Sequence, residues 1–310
     1  MATISPRWKA TQMGNLSGKK FLITGGTSGI GKEAARELFR AGGDVTFTAR
    51  SAEKGESTVA EIGKIGSGKI SYGILDLTNL DSVRQFAAKF THDFDTLILN
   101  AGVMATPLGH TRDGFELQFG TNHLGHFALA GLLHKQVKGR IVSVSSQAHR
   151  FGNFGDNSVA TIRAQALAQG KYKPWSAYGA SKLANLNFIQ ELHRRSQANN
   201  WGIASFAVHP GWSSTHLQSV GPEMRGANLE EKITSAMNSL FAQSASQGAL
   251  PTLCAATHPG IPSSSYIGPD GLFEMRGYPK ITRGMSKAYD QTLATNLWSV
   301  SEELTGVQWL

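Results

Sequence analysis

The chain has 310 residues, of which 40% are hydrophobic and 35 are glycine, a composition that fits one α/β domain with added loops. The net charge is +8 at pH 7, but the basic residues are scattered and not interleaved with aromatic residues, which argues against a nucleic-acid binder. The single cysteine, Cys254, excludes an intrachain disulfide, and no apolar run is long enough for a bilayer span or a signal core. We therefore expect a cytoplasmic protein with at most peripheral membrane contact.

The first predicted element is a short apolar strand at 20–24, and a glycine-rich turn follows it. The turn reads Gly25-Gly26-Thr27-Ser28-Gly29-Ile30-Gly31 and leads into a helical pattern at 31–41. A strand, turn and helix in this order can hold a pyrophosphate on backbone N–H groups, because glycines let the phosphates approach the backbone. The spacing differs from the common Gly-x-Gly-x-x-Gly fingerprint, so the turn alone indicates a nucleotide without identifying it.

Apolar runs and helical patterns alternate along the rest of the chain. Further strands are predicted at 44–49, 69–75, 96–100, 140–145, 203–209 and 265–267, and further helices at 52–65, 80–90, 115–137, 176–199 and 229–258. This alternation predicts βαβ units in a doubly wound (Rossmann) α/β fold, with a seven-stranded parallel sheet and helices on both faces. We assign 1–18 to an N-terminal arm, 19–268 to one dinucleotide-binding domain and 269–310 to a C-terminal extension. Loops at 146–175 and 212–245 are predicted to form substrate-side walls or a lid.

Two side chains that can take part in proton transfer lie four positions apart in the helical pattern at 176–199. Tyr178 and Lys182 share one helix face, and an ammonium group beside a phenol favours the phenolate and lowers its pKa. Such a pair can exchange a proton with a carbonyl or an alcohol, although a half-buried tyrosine beside a solvated lysine is the ordinary alternative.

Other polar residues follow predicted strands at the edge where open α/β sheets bind ligands. Ser145 and Ser146 follow one strand, where a hydroxyl can bond a substrate oxygen. Asn100-Ala101-Gly102 ends the strand before it, and Asp76 follows the strand at 69–75, placed to accept hydrogen bonds from an adenine or from a backbone turn. Asn122 stands inside a predicted helix, although asparagine is a poor helix former.

Together, the glycine turn, Asn100-Ala-Gly, Asn122, Ser145 and Tyr178-x-x-x-Lys182 resemble the short-chain dehydrogenase/reductase superfamily over residues 19–267. The stretches 122–127, 174–185 and 209–215 resemble its retinol dehydrogenase-like branch. The resemblance implies that Tyr178 is the general acid or base and that Lys182 lowers its pKa and holds the nicotinamide ribose. It also implies that Ser145 orients the substrate oxygen and that Asn122 holds a water of a proton relay.

The same resemblance implies a set of residues that hold the dinucleotide. They are Gly25, Thr27, Ser28, Gly29, Ile30, Gly31, Asp76, Leu77, Asn100, Ala101, Gly102, Tyr178, Lys182, Pro210, Gly211 and Thr215. Charge argues for NADP(H): no acid stands between Val45 and Ala52, where an NAD enzyme needs one for the ribose 2′-hydroxyl, and Arg50 offers a guanidinium for a 2′-phosphate.

We expect an NADP(H)-dependent oxidoreductase that interconverts a carbonyl and an alcohol on an apolar substrate such as a retinoid, steroid or aromatic ketone. A catalytically silent dinucleotide-binding sensor or scaffold is the alternative, and we expect no metal site. The helices at 115–137 and 176–199 resemble those at family dimer and tetramer interfaces, so a homodimer or homotetramer is compatible with the sequence unless the extension blocks it. The apolar stripe at 229–241 is typical either of a core helix or of a lid that covers an apolar substrate or contacts a membrane surface.

Overall fold

The apolar runs of the sequence form one central sheet. The computed structural model describes residues 4–212 and 243–309, and within them the strand order is β3-β2-β1-β4-β5-β6-β7-β8. The strands are β1 (Lys20–Ile23), β2 (Asp44–Ala49), β3 (Ile70–Ile74), β4 (Phe94–Leu99), β5 (Val137–Val144), β6 (Ala204–Val208), β7 (Tyr266–Pro269) and β8 (Pro279–Thr282). The chain order reverses beside β1, which pairs in parallel with β2 on one side and β4 on the other. Such a reversal opens a crevice at the carboxyl ends of the strands.

The doubly wound fold is confirmed, but the sheet has one strand more than predicted. β8 pairs antiparallel with β7, with Ile267 opposite Ile281, whereas the first seven strands are parallel. The sequence gives little sign of β8 because it begins with proline, has only four residues and leaves Lys280 and Ile281 exposed at the sheet edge.

Ten α-helices surround the sheet in the described ranges. They are α1 (Gly29–Arg40), α2 (Ala52–Ile62), α3 (Leu80–Ala87), α4 (Leu117–Phe119), α5 (Gly125–Leu133), α6 (Val159–Ala166), α7 (Pro174–Asn199), α8 (Ala245–Gly248), α9 (Leu250–Thr257) and α10 (Gln291–Thr305). Local signals set several of their ends. The side chains of Ser51 and Asp290 accept first-turn N–H bonds of α2 and α10, Pro174 opens α7, and Gly306 ends α10 at φ 66°.

The single helix predicted at 115–137 is wrong in detail. The segment begins with the short α4, widens into a π-helical turn at Gly120–Leu124 and continues as α5, which ends at Leu133 before β5 begins at Val137. Such widened turns often lie at functional sites. Asn122 lies in the middle of this turn.

Two apolar layers sandwich the sheet. One packs α3, α5, α7 and α10 on one face, and the other packs α1, α2 and α9 on the opposite face. The N-terminal arm contributes Trp8, which is 2% exposed, to the second layer. The arm is therefore part of the second layer, while α10 of the C-terminal extension is part of the first.

The C-terminal extension also covers helices α5 and α7. Trp298 on α10 lies 5.0 Å from the ring of Phe127 on α5 and stacks on Phe188 of α7 at 5.8 Å, measured between ring centroids. Trp309 packs so closely on α5 that a Cβ at Gly131 would stand 2.6 Å from its Nε1. The extension thus occupies faces of the two helices that resemble the family's interface helices.

Candidate active site

The glycine turn after β1 has the geometry that its sequence predicts. Gly25 and Gly29 have φ values of 71° and 55°, in the left-handed region that favours glycine. A Cβ at Gly31 would stand 2.2 Å from the carbonyl oxygen of Gly25 and 2.3 Å from Nδ2 of Asn100. Asn100 Nδ2 donates to the carbonyls of Thr24 and Gly25 at 2.9 and 3.2 Å, so the residue that follows β4 fastens the turn.

The turn ends on the N-terminus of α1, where backbone donors are available. Ser28 is the N-cap, but its side chain makes no capping bond, and the first helical bond runs from Lys32 N to Ser28 O. The N–H groups of the first helical turn have no partner within the helix, and the helix dipole favours an anion there. This cradle therefore fits a phosphate group, which supports the predicted pyrophosphate site.

A buried histidine links this turn to the π-helical turn. His126 Nδ1 lies 3.1 Å from the carbonyl oxygen of Asn122, which only accepts, so the ring proton is on Nδ1. His126 Nε2 then accepts from Thr24 Oγ1 at 2.8 Å. Because that hydroxyl also accepts from Asn100 N and Ala101 N, one threonine ties the ends of β1 and β4 together.

One cleft of about 1830 Å³ follows the carboxyl ends of the strands. The sequence-predicted residues that line it are Gly25, Thr27, Ser28, Gly29, Ile30, Gly31, Arg50, Asp76, Leu77, Asn100, Ala101, Gly102, Ser145, Tyr178, Lys182, Pro210 and Gly211. Asn122 is fully buried and does not line the cleft, and Thr215 lies outside the described residues. So do the stripe at 229–241 and most of the predicted lid.

Tyr178 and Lys182 are both buried at the cleft wall. Lys182 Nζ donates to the carbonyl of Val144 at 2.9 Å and lies 5.7 Å from the centroid of the Tyr178 ring. Burial raises the pKa of Tyr178 to about 12, against a smaller lowering by the hydrogen bond with the Ser146 side chain. Burial also lowers the pKa of Lys182 to about 8. The expected lowering of the tyrosine pKa is therefore absent here, and the phenol is protonated at neutral pH.

The two serines after β5 have different surroundings. Ser145 Oγ donates to the carbonyl of Lys182 at 2.7 Å, and the residue is 2% exposed. Ser146 is half-buried, lines the cleft and bonds to Tyr178. Both residues line the cleft, but the Ser145 hydroxyl is held by the Lys182 carbonyl, whereas the Ser146 hydroxyl bonds the phenol.

The amide of Asn122 is fully used by the protein. Its Oδ1 accepts from Val103 N at 2.8 Å, and its Nδ2 donates to Val103 O and to Ser181 Oγ, each at 2.9 Å. The side chain therefore fastens the segment after β4 to α7, and it has no donor left for a water. Its backbone carbonyl accepts from His126 instead. This explains why an asparagine stands in the π-helical turn, and the role of Asn122 in a water relay, which the resemblance implies, stays a prediction.

The far end of the cleft carries Arg50 and Asp76. Arg50 is exposed at the end of β2 and forms no ion pair among the residues that the structure describes. Oδ1 of Asp76 accepts from the backbone and hydroxyl of Thr78 at 2.9 and 2.8 Å, which shapes the loop after β3. The exposed guanidinium offers an anion site at this end of the cleft.

The sequence analysis missed the carboxylate of Glu274, which lies at the end of the cleft opposite Arg50 and Asp76. It lies in the loop between β7 and β8, where Phe273 and Glu274 have φ values of 50° and 56°. Its Oε2 accepts from His209 Nε2 at 3.1 Å and from Gln147, and its Oε1 accepts from Thr282. Burial opposes the charge, but these bonds outweigh it and lower the pKa of Glu274 to about 2. No local sequence pattern predicts the role of Glu274, because its hydrogen-bond partners come from distant segments.

The buried histidines make stability depend on pH. Burial lowers the pKa of His123 and His126 from 6.5 to about 3, and that of His149 to about 4. Between those values and 6.5 the unfolded chain binds protons that the folded chain does not, so the stability that these neutral rings contribute is fully present above pH 6.5 and is lost as the pH decreases. We expect Tm to decline from pH 6.5 towards 4.

A double variant isolates one of these rings. His123 Nε2 bonds Ser301 Oγ at 2.8 Å, so His123→Leu with Ser301→Ala removes both partners together. Its Tm should depend less steeply on pH than that of the wild type over the same range. Parallel curves for the two proteins would show that His123 does not contribute to the acid sensitivity.

The described residues hold no group of three or more histidine, cysteine, aspartate or glutamate side chains that could ligate a metal ion. None of the helices within 4–212 and 243–309 combines the length and apolar character needed to cross a bilayer.

Known proteins resemble the chain over most of its length. A family model described as short chain dehydrogenase matches residues 19–161. The chain is similar to retinol dehydrogenase 12 of Mus musculus, with 38% identity over 304 residues that cover 95% of this chain and 88% of the relative. It is also similar to human retinol dehydrogenase 13, with 36% identity over 94% of this chain and 86% of the relative. A solved structure of an uncharacterised Mycobacterium paratuberculosis protein matches with a TM-score of 0.81 and 36% identity, covering 98% of this chain and 99% of that one.

Proposed function

Because this chain belongs to the short-chain dehydrogenase/reductase family, in its retinol dehydrogenase-like branch, we propose that it interconverts a carbonyl and an alcohol on an apolar substrate with NADP(H). The family binds a nicotinamide dinucleotide, and the oxidoreductase role follows from membership. The observation that carries the finer proposal is the protonated Tyr178 beside Ser146 in the same cleft as the phosphate cradle.

The residues of the cleft fit the dinucleotide in two parts. The N-terminus of α1 would hold the pyrophosphate, while Asp76 and Leu77 would border the adenosine. Tyr178, Lys182, Pro210 and Gly211 would border the nicotinamide half. A bound nicotinamide supplies or accepts the hydride in this chemistry.

Tyr178 would handle the proton. With its pKa raised to about 12, the phenol holds its proton at neutral pH and can donate it from Oη to a carbonyl oxygen as that oxygen gains charge. Ser146 would donate a hydrogen bond to the same oxygen, and the ammonium group of Lys182 would favour the resulting phenolate.

The basic test is consumption of NADPH with a panel of apolar carbonyl compounds, followed at 340 nm. Retinal belongs in the panel because the relatives include retinol dehydrogenases. Turnover of any member supports the oxidoreductase proposal. Binding of NADPH with no turnover across the panel would favour the alternative, a dinucleotide-binding sensor or scaffold.

Arg50 is expected to select NADPH over NADH. Its free guanidinium can form charge-assisted bonds to a 2′-phosphate, which contribute about 1.5–3 kcal/mol. In Arg50→Ala, the ratio of kcat/KM for NADPH to that for NADH should therefore fall about ten- to hundredfold. Arg40→Ala, which removes an exposed arginine outside the cleft, is the control. An unchanged ratio, or a wild type that prefers NADH, would contradict the assignment.

The two serines after β5 provide a matched pair of variants. Ser146→Ala should lower kcat about 10²-fold or more, because it removes a donor to the oxygen that gains charge. Ser145→Ala should lower Tm, because it removes the buried bond to the Lys182 carbonyl, which contributes about 0.5–1.5 kcal/mol. If Ser145→Ala lost more activity than Ser146→Ala, the sequence-based choice of Ser145 would be restored.

A further inference from the structure

An arginine lies at the substrate end of the cleft among exposed aromatic rings. Arg150 follows Ser146 by four residues on the 3₁₀ helix Gln147–Phe151 and lines the cleft. The rings of Phe151, Trp175 and Phe273 line the same end and are 72%, 45% and 79% exposed. Such rings suit an apolar substrate, whereas the exposed guanidinium of Arg150 in the same cleft does not.

Arg150 is held by one edge of its guanidinium. Its Nε donates to Gln147 Oε1 at 2.7 Å, while Gln147 Nε2 donates to Glu274. The carboxylate of Glu274 accepts only, so it fixes which end of the Gln147 amide faces Arg150. His209 and Thr282 anchor Glu274 in turn. Gln147 and Glu274 are thus positioning residues for the guanidinium.

No protein carboxylate neutralises Arg150 within the described ranges. Glu274 is the carboxylate at this end of the cleft, and the donors that bind it are His209, Gln147 and Thr282, with no ion pair to Arg150. The other acidic residues that line the cleft, Glu53, Glu61 and Asp76, belong to α2 and the loop after β3, at the opposite end. Among residues 4–212 and 243–309, neither Nη group of Arg150 forms a hydrogen bond. A planar guanidinium with both Nη groups available binds a carboxylate in a bidentate manner.

We propose that Arg150 binds an anionic group, a carboxylate in the first instance, on the apolar carbonyl or alcohol substrate. The inference rests on the proposed function and narrows its substrate class to compounds with a reactive carbonyl at one end and an acid at the other. Four residues of a 3₁₀ helix rise about 8 Å, which sets the scale of the distance between the backbones of Ser146 and Arg150. A keto acid with one aromatic ring between the two groups has that scale.

A pair of ketones that differ in charge, and otherwise only by the methyl group of an ester, tests the proposal. 4-Acetylbenzoate and methyl 4-acetylbenzoate are compared with the full chain and NADPH. The wild type should have a higher kcat/KM for the acid, and added NaCl should reduce that advantage. In Arg150→Met, the ratio of kcat/KM for the acid to that for the ester should fall at least tenfold, and the change should lie in KM. Arg150→Lys should recover part of this ratio.

Two further variants separate position from charge. Gln147→Leu should also lower the acid-to-ester ratio through KM, although it removes no charge. Arg112→Met removes an exposed arginine that does not line the cleft, and its ratio should equal that of the wild type. Equal ratios in the wild type and Arg150→Met, with both ketones reduced, would overturn the role of Arg150 and leave the proposed function intact.

A binding measurement covers the case in which neither ketone is reduced. The alcohol 4-(1-hydroxyethyl)benzoate, added with NADP⁺, should raise Tm in the wild type more than in Arg150→Met. If that shift appears without turnover, the anion site stands and the proposed chemistry fails. If no shift appears and no ketone discriminates between the two proteins, the anion site itself is refuted.

Discussion

Replacement of Tyr178 by phenylalanine is expected to lower kcat for carbonyl reduction by about 10²- to 10⁴-fold, the range that a positioned proton donor contributes. The change removes one oxygen from a side chain that is 4% exposed, and it leaves the ring that packs edge-on at 6.1 Å from Trp175. The fold and the Kd for NADPH, measured by quenching of tryptophan fluorescence, should therefore change little compared with kcat.

Tyr72→Phe is the matched control for this variant. Tyr72 lies on β3, outside the cleft, and its hydroxyl donates to Glu56 at 3.3 Å on the surface. Its kcat should equal that of the wild type. A Tyr178→Phe enzyme that kept full activity would remove the phenol from the reaction, and a water or another side chain would have to supply the proton.

Gly31→Ala is expected to weaken NADPH binding about 5- to 150-fold. A Cβ at this position would stand 2.2 Å from the Gly25 carbonyl and 2.3 Å from Asn100 Nδ2, both of which belong to the cradle. To admit the methyl group, the turn must separate from the segment after β4, and overpacking of this kind costs about 1–3 kcal/mol. Titration calorimetry with NADPH measures the loss directly.

Gly109→Ala makes the same chemical change outside the cleft. There the nearest atoms to a Cβ would be Leu117 Cδ2 at 3.3 Å, the end of a side chain, and Leu117 Cβ at 3.7 Å, so a small shift is enough. Its affinity for NADPH should match that of the wild type. Equal affinity in Gly31→Ala would mean that the dinucleotide does not bind on this turn.

Features that depend on nearby residues could be predicted from the sequence, and features that depend on distant partners could not. The glycine turn and the shared face of Tyr178 and Lys182 follow from local geometry, and both are present in the structure. The pKa of Tyr178 depends on everything that covers the phenol, so the helical spacing alone gave the wrong direction. Glu274 depends on a hairpin between β7 and a strand that the sequence did not reveal.

The choice between Ser145 and Ser146 illustrates a third case. Both residues follow β5 and both line the cleft, so spacing alone cannot say what each hydroxyl bonds. The packing of α7 decides that: the Ser145 hydroxyl donates to the Lys182 carbonyl, while the Ser146 hydroxyl bonds Tyr178.

The C-terminal cover over α5 and α7 has a consequence for how the chain folds. The rings that close these helices, Trp298 and Trp309, lie more than a hundred residues after Phe188 and Phe127 in the chain. Contacts between such distant segments carry a loop-closure cost and form late. A nascent chain that already contains the nucleotide cradle therefore still exposes an apolar helix face, and during that interval it should bind chaperones or aggregate more readily than the finished protein.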